Sequence, residues 1–546
     1  MKSIRIFALV TIAASAAASP AGAGRTQAVG RDSGSYEALL RLFREFREYQ
    51  KPVVSENGIP DYSPAAMAAQ KAKLPAFEKR LAAIDTKAWP IDRRVDYEIV
   101  RAEMKGLDFD HRVLRPWSRD PGFYAVIQTS ESDVPAREGS EIYGCLNIWR
   151  YSFPLDAAGR DEVRRKLAGI PGILAQARSN LTADTRDLWR LGARKKAGEA
   201  AALDRLADRL AGTNPDLVPL ARQARAAVDD FRKWLDSRIP ALKGPSGIGK
   251  PEFDWYQKNV HLVPYSWDEQ YQIASRELER SLAFLKLEEH RNRKLPPLQP
   301  PATAEEARRR QEAAAAGLLD FLRQDGIFSV GDFMKLPAGG GAVIPPERRD
   351  FFTQVDYRDP VPLKVHAIHW LEKQREARNT HPIRGTPLLY NLWDSRAEGF
   401  ATAAEEILQQ AGLFDRNPRA RELVYILLAF RAVRAICDLK LHSGEWTVDD
   451  AVKYASATTP YGWVKPDGDT IWVDLTIYLH GPGYGTSYVT GKIQIEKLMA
   501  DCARLKGSAF TLKGFLDEMF SKGLIPASLI RWEMTGFDDE MKKLGR

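Results

Sequence analysis

The chain of 546 residues carries 80 Lys and Arg against 72 Asp and Glu, a formal charge of +8, and three cysteines. The positive excess is spread thinly, with no dense basic tract and no basic stripe interleaved with aromatics, so nucleic-acid binding finds no support. Cys145, Cys437 and Cys502 are too few and too scattered for a disulfide framework and form no CxxC pair. The fold must therefore rest on an apolar core, which a chain of this length can bury.

The first 23 residues read as a leader. Lys2 and Arg5 precede an apolar run from Ile6 to Ala18, and Ala21, Gly22 and Ala23 form a small-residue cleavage site. No cysteine follows that run, so a lipid anchor is not expected, and no later segment is long and apolar enough to span a bilayer. The expectation is an exported protein without a membrane anchor, periplasmic or secreted.

Beyond the leader, nearly every segment has the helical period. Residues 36–49, 63–84, 94–107, 160–181, 195–210, 216–236 and 267–292 repeat apolar residues three and four apart. Breaks fall at 244–247, 295–301 and 337–346, where Gly and Pro cluster. The first break is the expected seam between an N-terminal helical part, 24–245, and a C-terminal part, 246–546, in one continuous domain.

Candidate chemistry begins at His366 and His369. Three apart on a helix, the two imidazoles would share a face and could grip one metal ion; two histidines hydrogen-bonded in a polar core are the commoner outcome. The following segment RAEGFATAAEEILQQAG places Glu398, Thr402, Glu405 and Gln409 on one helical face and is ended by Gly412. Two histidines followed by a helix-borne glutamate form the general pattern of a zinc site. However, Ala367 follows His366 and Trp370 follows His369, so the HExxH motif with its general base is absent.

Residues 421–442, RELVYILLAFRAVRAICDLKLH, are apolar around most of the helix circumference and predict a buried helix. Yet Arg431, Arg434, Asp438 and His442 line one narrow face. Burying them demands either a polar site or an internal ladder of ion pairs, Arg434 with Asp438 being the simplest. In residues 469–481, Ile471, Val473, Leu475, Ile477 and Leu479 alternate with Trp472, Asp474, Thr476, Tyr478 and His480, which predicts a strand. That minor β element of a mainly α chain would lead into the glycine-rich turn HGPGYGTSY, where Tyr484 and Tyr488 either enter a cleft or simply pack.

Taken together, several segments resemble the bacterial "domain of unknown function 885" family, relatives of the gluzincin metallopeptidases. In the N-terminal half these are RPWSRDPGFY with Trp117 to Tyr124, residues 170–181, and Gly247-Ile248-Gly249 followed by Trp255-Tyr256. In the C-terminal half, Glu398-Gly399-Phe400-Ala401 resembles the family's Glu-Gly-Trp-Ala helix. Arg434-Ala435-Ile436 through Leu441-His442-Ser443-Gly444 resembles its Arg-Ala-Ile and Leu-His-Thr-Gly segment. Pro482-Gly483 through Ser487-Tyr488 resembles its Pro-Gly-Gln and Ser-Tyr turn, and Leu524-Ile525-Pro526 its closing segment. The likeness covers nearly all of the mature length and implies a large multi-helical, gluzincin-like fold. It implies Glu398 at the position of the third zinc ligand, and His442 and Tyr488 as substrate-side groups. The family's zinc motif reads His-Glu, two residues, then Pro-Gly-His-His. Here the corresponding stretch is VPLKVHAIHWLEKQ, which has neither the Glu nor the Pro-Gly.

The first functional expectation is an exported, metal-independent lyase or hydrolase that works by acid–base chemistry on a small aromatic substrate. His369 or His442 would move the proton and Glu398 would act as base or orienter. Tyr488 would donate to a developing oxyanion, Arg434 and Arg431 would hold an anionic group, and Trp370 and Tyr484 would wall the cleft. Such an enzyme needs no cofactor. Two alternatives stand beside it: a zinc-dependent carboxypeptidase or dipeptidase with His366, His369 and Glu398 as ligands, and a non-catalytic periplasmic binding protein.

Overall fold

Local signals set many of the helix boundaries. Ser35, Ser63, Asp156, Ser266, Thr303 and Thr447 each accept a backbone N–H bond in the first turn of the helix they precede, as N-caps do. Gly444, at φ 77°, closes the helix Ala420–Ser443 in the left-handed conformation that favours glycine. The computed structural model describes residues 35–135, 143–339 and 342–546; the expected leader lies outside the described residues. The described chain is mainly α-helical. Its named strands, Ile127–Gln128 and Leu146–Asn147, form a two-residue parallel pair.

The predicted strand at 469–481 is a helix, Asp469–His480. Its alternation coexists with a helical spacing, because Ile471, Asp474, Leu475, Tyr478 and Leu479 are all buried. Asp350 caps the first turn from outside, accepting the Thr470 N–H at 2.9 Å. The helix then packs on Ala420–Ser443 and Arg186–Ala211. No strand lies beside it among the described residues, so an extended chain here would have left interior N–H and C=O groups unpaired. Packing context overrides the β-branched preference.

Two apolar cores organise the helices. The first three, Tyr36–Tyr49, Pro64–Ala82 and Ile91–Phe109, share one core with the C-terminal helices, joining Phe46 and Phe109 to Phe400 and Phe430. A second core, between Tyr124 and Leu235, is built by Ala157–Asn180, Arg186–Ala211 and Val218–Arg238. No helix among the described residues is long and apolar enough to cross a membrane.

At the centre of the larger core, the helix Asp394–Gln410 crosses Tyr484–Lys506, and Ala420–Ser443 packs on both. The crossing is made by two glycines. A Cβ on Gly399 would lie 2.4 Å from the Gly491 carbonyl carbon, and one on Gly491 would lie 2.2 Å from the Ser395 oxygen. No other residue fits such an approach of backbones. It brings Glu398 against the first turn of the Tyr484–Lys506 helix.

Candidate functional site

His366 and His369 do not share one helix. Val361–His366 ends at the first, Ala367 and Ile368 turn the chain, and His369–Glu376 starts at the second. The turn sets the rings nearly perpendicular, 88° apart with centroids at 5.0 Å. Both then reach one carboxylate oxygen: Nε2 of His366 lies 3.3 Å and Nε2 of His369 3.2 Å from Glu398 Oε2. The other oxygen, Oε1, accepts the Tyr484 hydroxyl at 2.5 Å. His369 and Glu398 are buried, whereas the His366 side chain keeps 19% of its surface exposed, so His366 is the side from which the cluster can be reached.

A second carboxylate, two turns further along the same helix, completes the arrangement. Glu405 Oε1 stands 3.3 Å from His366 Nδ1, although off the line of a hydrogen bond. Glu405 is itself clamped by Arg431, whose two terminal nitrogens donate to its two oxygens at 2.8 and 2.5 Å, both side chains fully interior. Burial alone would push the Glu398 carboxyl up, yet His369 and His366 beside it hold it well below the usual carboxylate range. Burial likewise disfavours a charged His369, but Glu398 overrides it and raises the imidazole.

Whether these residues suit a metal can be tested on His366, which has a carboxylate on each side. If Nδ1 carries the proton toward Glu405, then Nε2 turns a lone pair toward a Glu398 oxygen that also has only lone pairs to offer. Two acceptors at 3.3 Å repel unless a cation sits between them, either a second proton on the ring or a metal ion. One ligand atom from each of His366, His369 and Glu398 all lie within 4.8 Å of one another. Two imidazoles and a carboxylate form a donor set that zinc accepts, with Glu405 as the carboxylate that orients a ligating histidine. The residues fit.

The predicted polar face divides. Arg431 serves the cluster through Glu405. Arg434 lies over the Tyr488 ring, 4.3 Å from its centroid, and pairs with Asp474 at 3.2 Å; the simple pair with Asp438 is not formed. Tyr488 in turn stacks beside His366, ring centroids 6.0 Å apart. Trp370 extends from the helix of His369, half-buried, with the Lys373 ammonium 5.0 Å from its ring. Asp438 points elsewhere, accepting the backbone N–H groups of Gly483 and Thr486 at the start of the Tyr484–Lys506 helix.

His442 lies apart from the cluster. It is completely buried, donates from Nε2 to the Tyr478 carbonyl at 2.9 Å, and packs on Phe253. Eleven residues separate it from Arg431, about 16 Å along a helix. The structure thus gathers His366, His369, Glu398, Tyr484, Tyr488, Arg431 and Arg434, and leaves His442 outside. Glu405 was visible in the sequence only as one polar residue on the face of Glu398; its i+7 spacing from that residue is the signal that could have raised it to a site residue.

Comparison with known proteins gives a family and a fold. The model of a family described as "Bacterial protein of unknown function (DUF885)" matches residues 48–287 and 374–534. A candidate lipoprotein of unknown function from Shewanella oneidensis has a similar solved structure, with a TM-score of 0.65 at 16% identity, covering 92% of this chain and 99% of its own. A candidate lipoprotein from Colwellia psychrerythraea is similar at a TM-score of 0.65 and 14% identity, with the same coverage of both chains. At such identities the likeness speaks for the fold alone. Among curated protein sequences none matches.

Proposed function

The chain belongs to the DUF885 family of bacterial proteins, and on that premise we propose that it is an exported hydrolase dependent on one divalent metal of the zinc class. His366, His369 and Glu398 would hold the ion, and the bond cleaved is an amide or ester of a small substrate. The observation that carries this reading is the position of His366 between Glu398 and Glu405. A ring so placed offers its Nε2 lone pair to a cation. When bound, an ion of this class polarises a carbonyl group and acidifies water.

The chain's own residues prepare for that chemistry. Arg431 fixes Glu405, Glu405 sets a carboxylate oxygen 3.3 Å from His366 Nδ1, and the Tyr484 hydroxyl holds Glu398 Oε1 so that Oε2 faces the two imidazoles. The Tyr488 ring forms a wall beside His366, the exposed side. Ala367 follows His366, so no glutamate stands next to that histidine to serve as a general base. A positioned general base typically contributes about 10²–10⁴ in rate, so turnover is expected to be slow. Export is supported by the leader expected from the sequence and by the description of both structural neighbours as candidate lipoproteins.

A second reading, metal-free acid–base chemistry, is favoured by Ala367 and by the raised pKa of His369, which would let this imidazole hold a proton. Metal analysis of the full chain purified without chelator separates the two. The expected result is about one zinc per chain, abolished by His369→Ala and by Glu398→Ala. A chain that takes up no divalent metal even when zinc is added would sink the first reading and leave the second.

A further inference from the structure

A cavity lies away from the histidine cluster, between the N-terminal helices and the chain on either side of the central crossing. Its volume is about 110 Å³, and Trp117, Phe123, Tyr256 and Tyr390 provide much of its wall. It is wide enough for a small organic molecule rather than one or two waters.

One group in it stands out. Asp110 begins a π-helical turn, Asp110–Leu114, that ends the long helix Ile91–Phe109. Its carboxyl lines the cavity and, among the described residues, accepts no hydrogen bond and forms no ion pair. The other acid nearby, Asp120, is already engaged: it holds His480 through Nδ1 at 2.5 Å and accepts the Gly122 N–H at 2.7 Å. Burial pushes the Asp110 carboxyl up to about 7, with His480 pulling the other way. Half-buried in the cavity wall, the carboxyl is accessible to a ligand that can bond it.

The opposite wall is held in an uncommon backbone conformation. Tyr390 and Asn391, at φ 56° and 53°, are consecutive left-handed residues and neither is glycine. The surroundings fix them. His261 Nε2 lies 3.0 Å from the Tyr390 carbonyl, and the Tyr390 ring fits against Gly106, where a Cβ would come within 2.3 Å of it. A bulky residue is thus kept strained in order to present an aromatic surface to the cavity.

A carboxyl facing aromatic walls selects a cation that carries apolar substance, because ring faces attract positive charge and the carboxylate supplies the directional contact. We propose that this cavity binds a small organic ammonium compound, its charged nitrogen on Asp110 and its body against Trp117, Tyr256 and Tyr390. The inference does not depend on the metal reading. Tyr390 and Asn391 lie just before the helix Asp394–Gln410 that carries Glu398.

The test is calorimetric titration of the full chain with benzylammonium chloride, benzyl alcohol and sodium benzoate, matched in shape and differing in charge. Saturable binding of benzylammonium at millimolar concentration or below is expected, with benzyl alcohol at least about tenfold weaker and benzoate absent. Asp110→Asn should weaken benzylammonium about tenfold or more while melting no lower than the parent. Glu398→Gln should bind it as the parent does. The inference is overturned if benzylammonium fails to saturate, if the alcohol binds equally well, if Asp110→Asn leaves affinity unchanged, or if Glu398→Gln abolishes binding.

Discussion

The two ends of the helix Ala420–Ser443 carry the same kinds of side chain and do different things. Near its middle, Arg431 clamps Glu405, which faces a histidine whose other nitrogen faces a second carboxylate. Near its C-terminus, His442 bonds the Tyr478 carbonyl and Asp438 bonds the first N–H groups of a neighbouring helix. At the second end the hydrogen bonds go to backbone, although Asp438 Oδ1 also stands 3.5 Å from His442 Nε2, and the helix is thereby fastened to its neighbours. At the first end side chains meet side chains, and lone pairs converge. A buried polar stripe is therefore not evidence of a site; convergence of acceptors that cannot satisfy one another is.

The largest effect expected from breaking this contrast comes from Arg431→Met. It leaves Glu405 in the interior without its partner, and removing one member of such a pair costs about 3–5 kcal/mol. Chemical denaturation should register that loss. In the double variant Arg431→Met/Glu405→Met most of the stability should return, since an apolar pair of similar volume replaces the ion pair. Metal affinity should not return, because His366 has lost the acceptor that orients it, a change typically worth about 10–100-fold. If zinc binding recovered together with stability, Glu405 would be only a structural acid and the two helix ends would be alike.

A smaller effect is expected at the other end. In His442→Phe the Tyr478 carbonyl loses its donor, at about 1–3 kcal/mol, with zinc content unchanged. The parent's pH dependence should change too. Burial lowers the His442 imidazole to about 4, so below pH 6.5 the unfolded chain binds a proton that the folded chain refuses until about pH 4. Stability contributed by the neutral ring is thus complete above pH 6.5 and is lost as the pH falls from there toward 4, on the order of 3 kcal/mol. His111 and His261, lowered to about 4 by burial, add slope in the same window. Denaturation curves from pH 7 to 4.5 should therefore be shallower for His442→Phe than for the parent. Equal slopes would mean that the ring is not held neutral.

Much of this was legible before folding. The helical periods predict most of the long helices, and Glu398 with Glu405 fall on one face because seven residues make two turns. The relation of His366 to His369 is less legible: both rings reach Glu398, but from two helices, since a two-residue turn at Ala367 and Ile368 replaces the continuous helix. Residues 469–481 predict a strand and form a helix because a short run can satisfy a period of two and a period of 3.6 at once, and only packing arbitrates. Asp110 was invisible. What marks it is its place in a cavity wall among aromatic side chains, and that is a property of the assembled fold that no local spacing encodes.

The smallest effect, Tyr484→Phe, sharpens the contrast most. The phenol donates to Glu398 Oε1 from the first residue of its helix, which begins immediately after Gly483 at φ 91°. Removing the hydroxyl keeps ring, volume and helix, so stability should change by no more than about 1 kcal/mol, the net worth of a hydrogen bond. Glu398 would then be free to turn its other oxygen toward the imidazoles. If the cluster is a metal site, zinc affinity should fall about tenfold, because an oriented ligand has become an unoriented one. If the cluster is only a hydrogen-bonded polar core, the variant should lose that small increment of stability and nothing else. A zinc titration of Tyr484→Phe beside its melting curve thus asks of Glu398 what the other helix end answers for His442: whether its partners hold it in place for packing or aim it at a ligand.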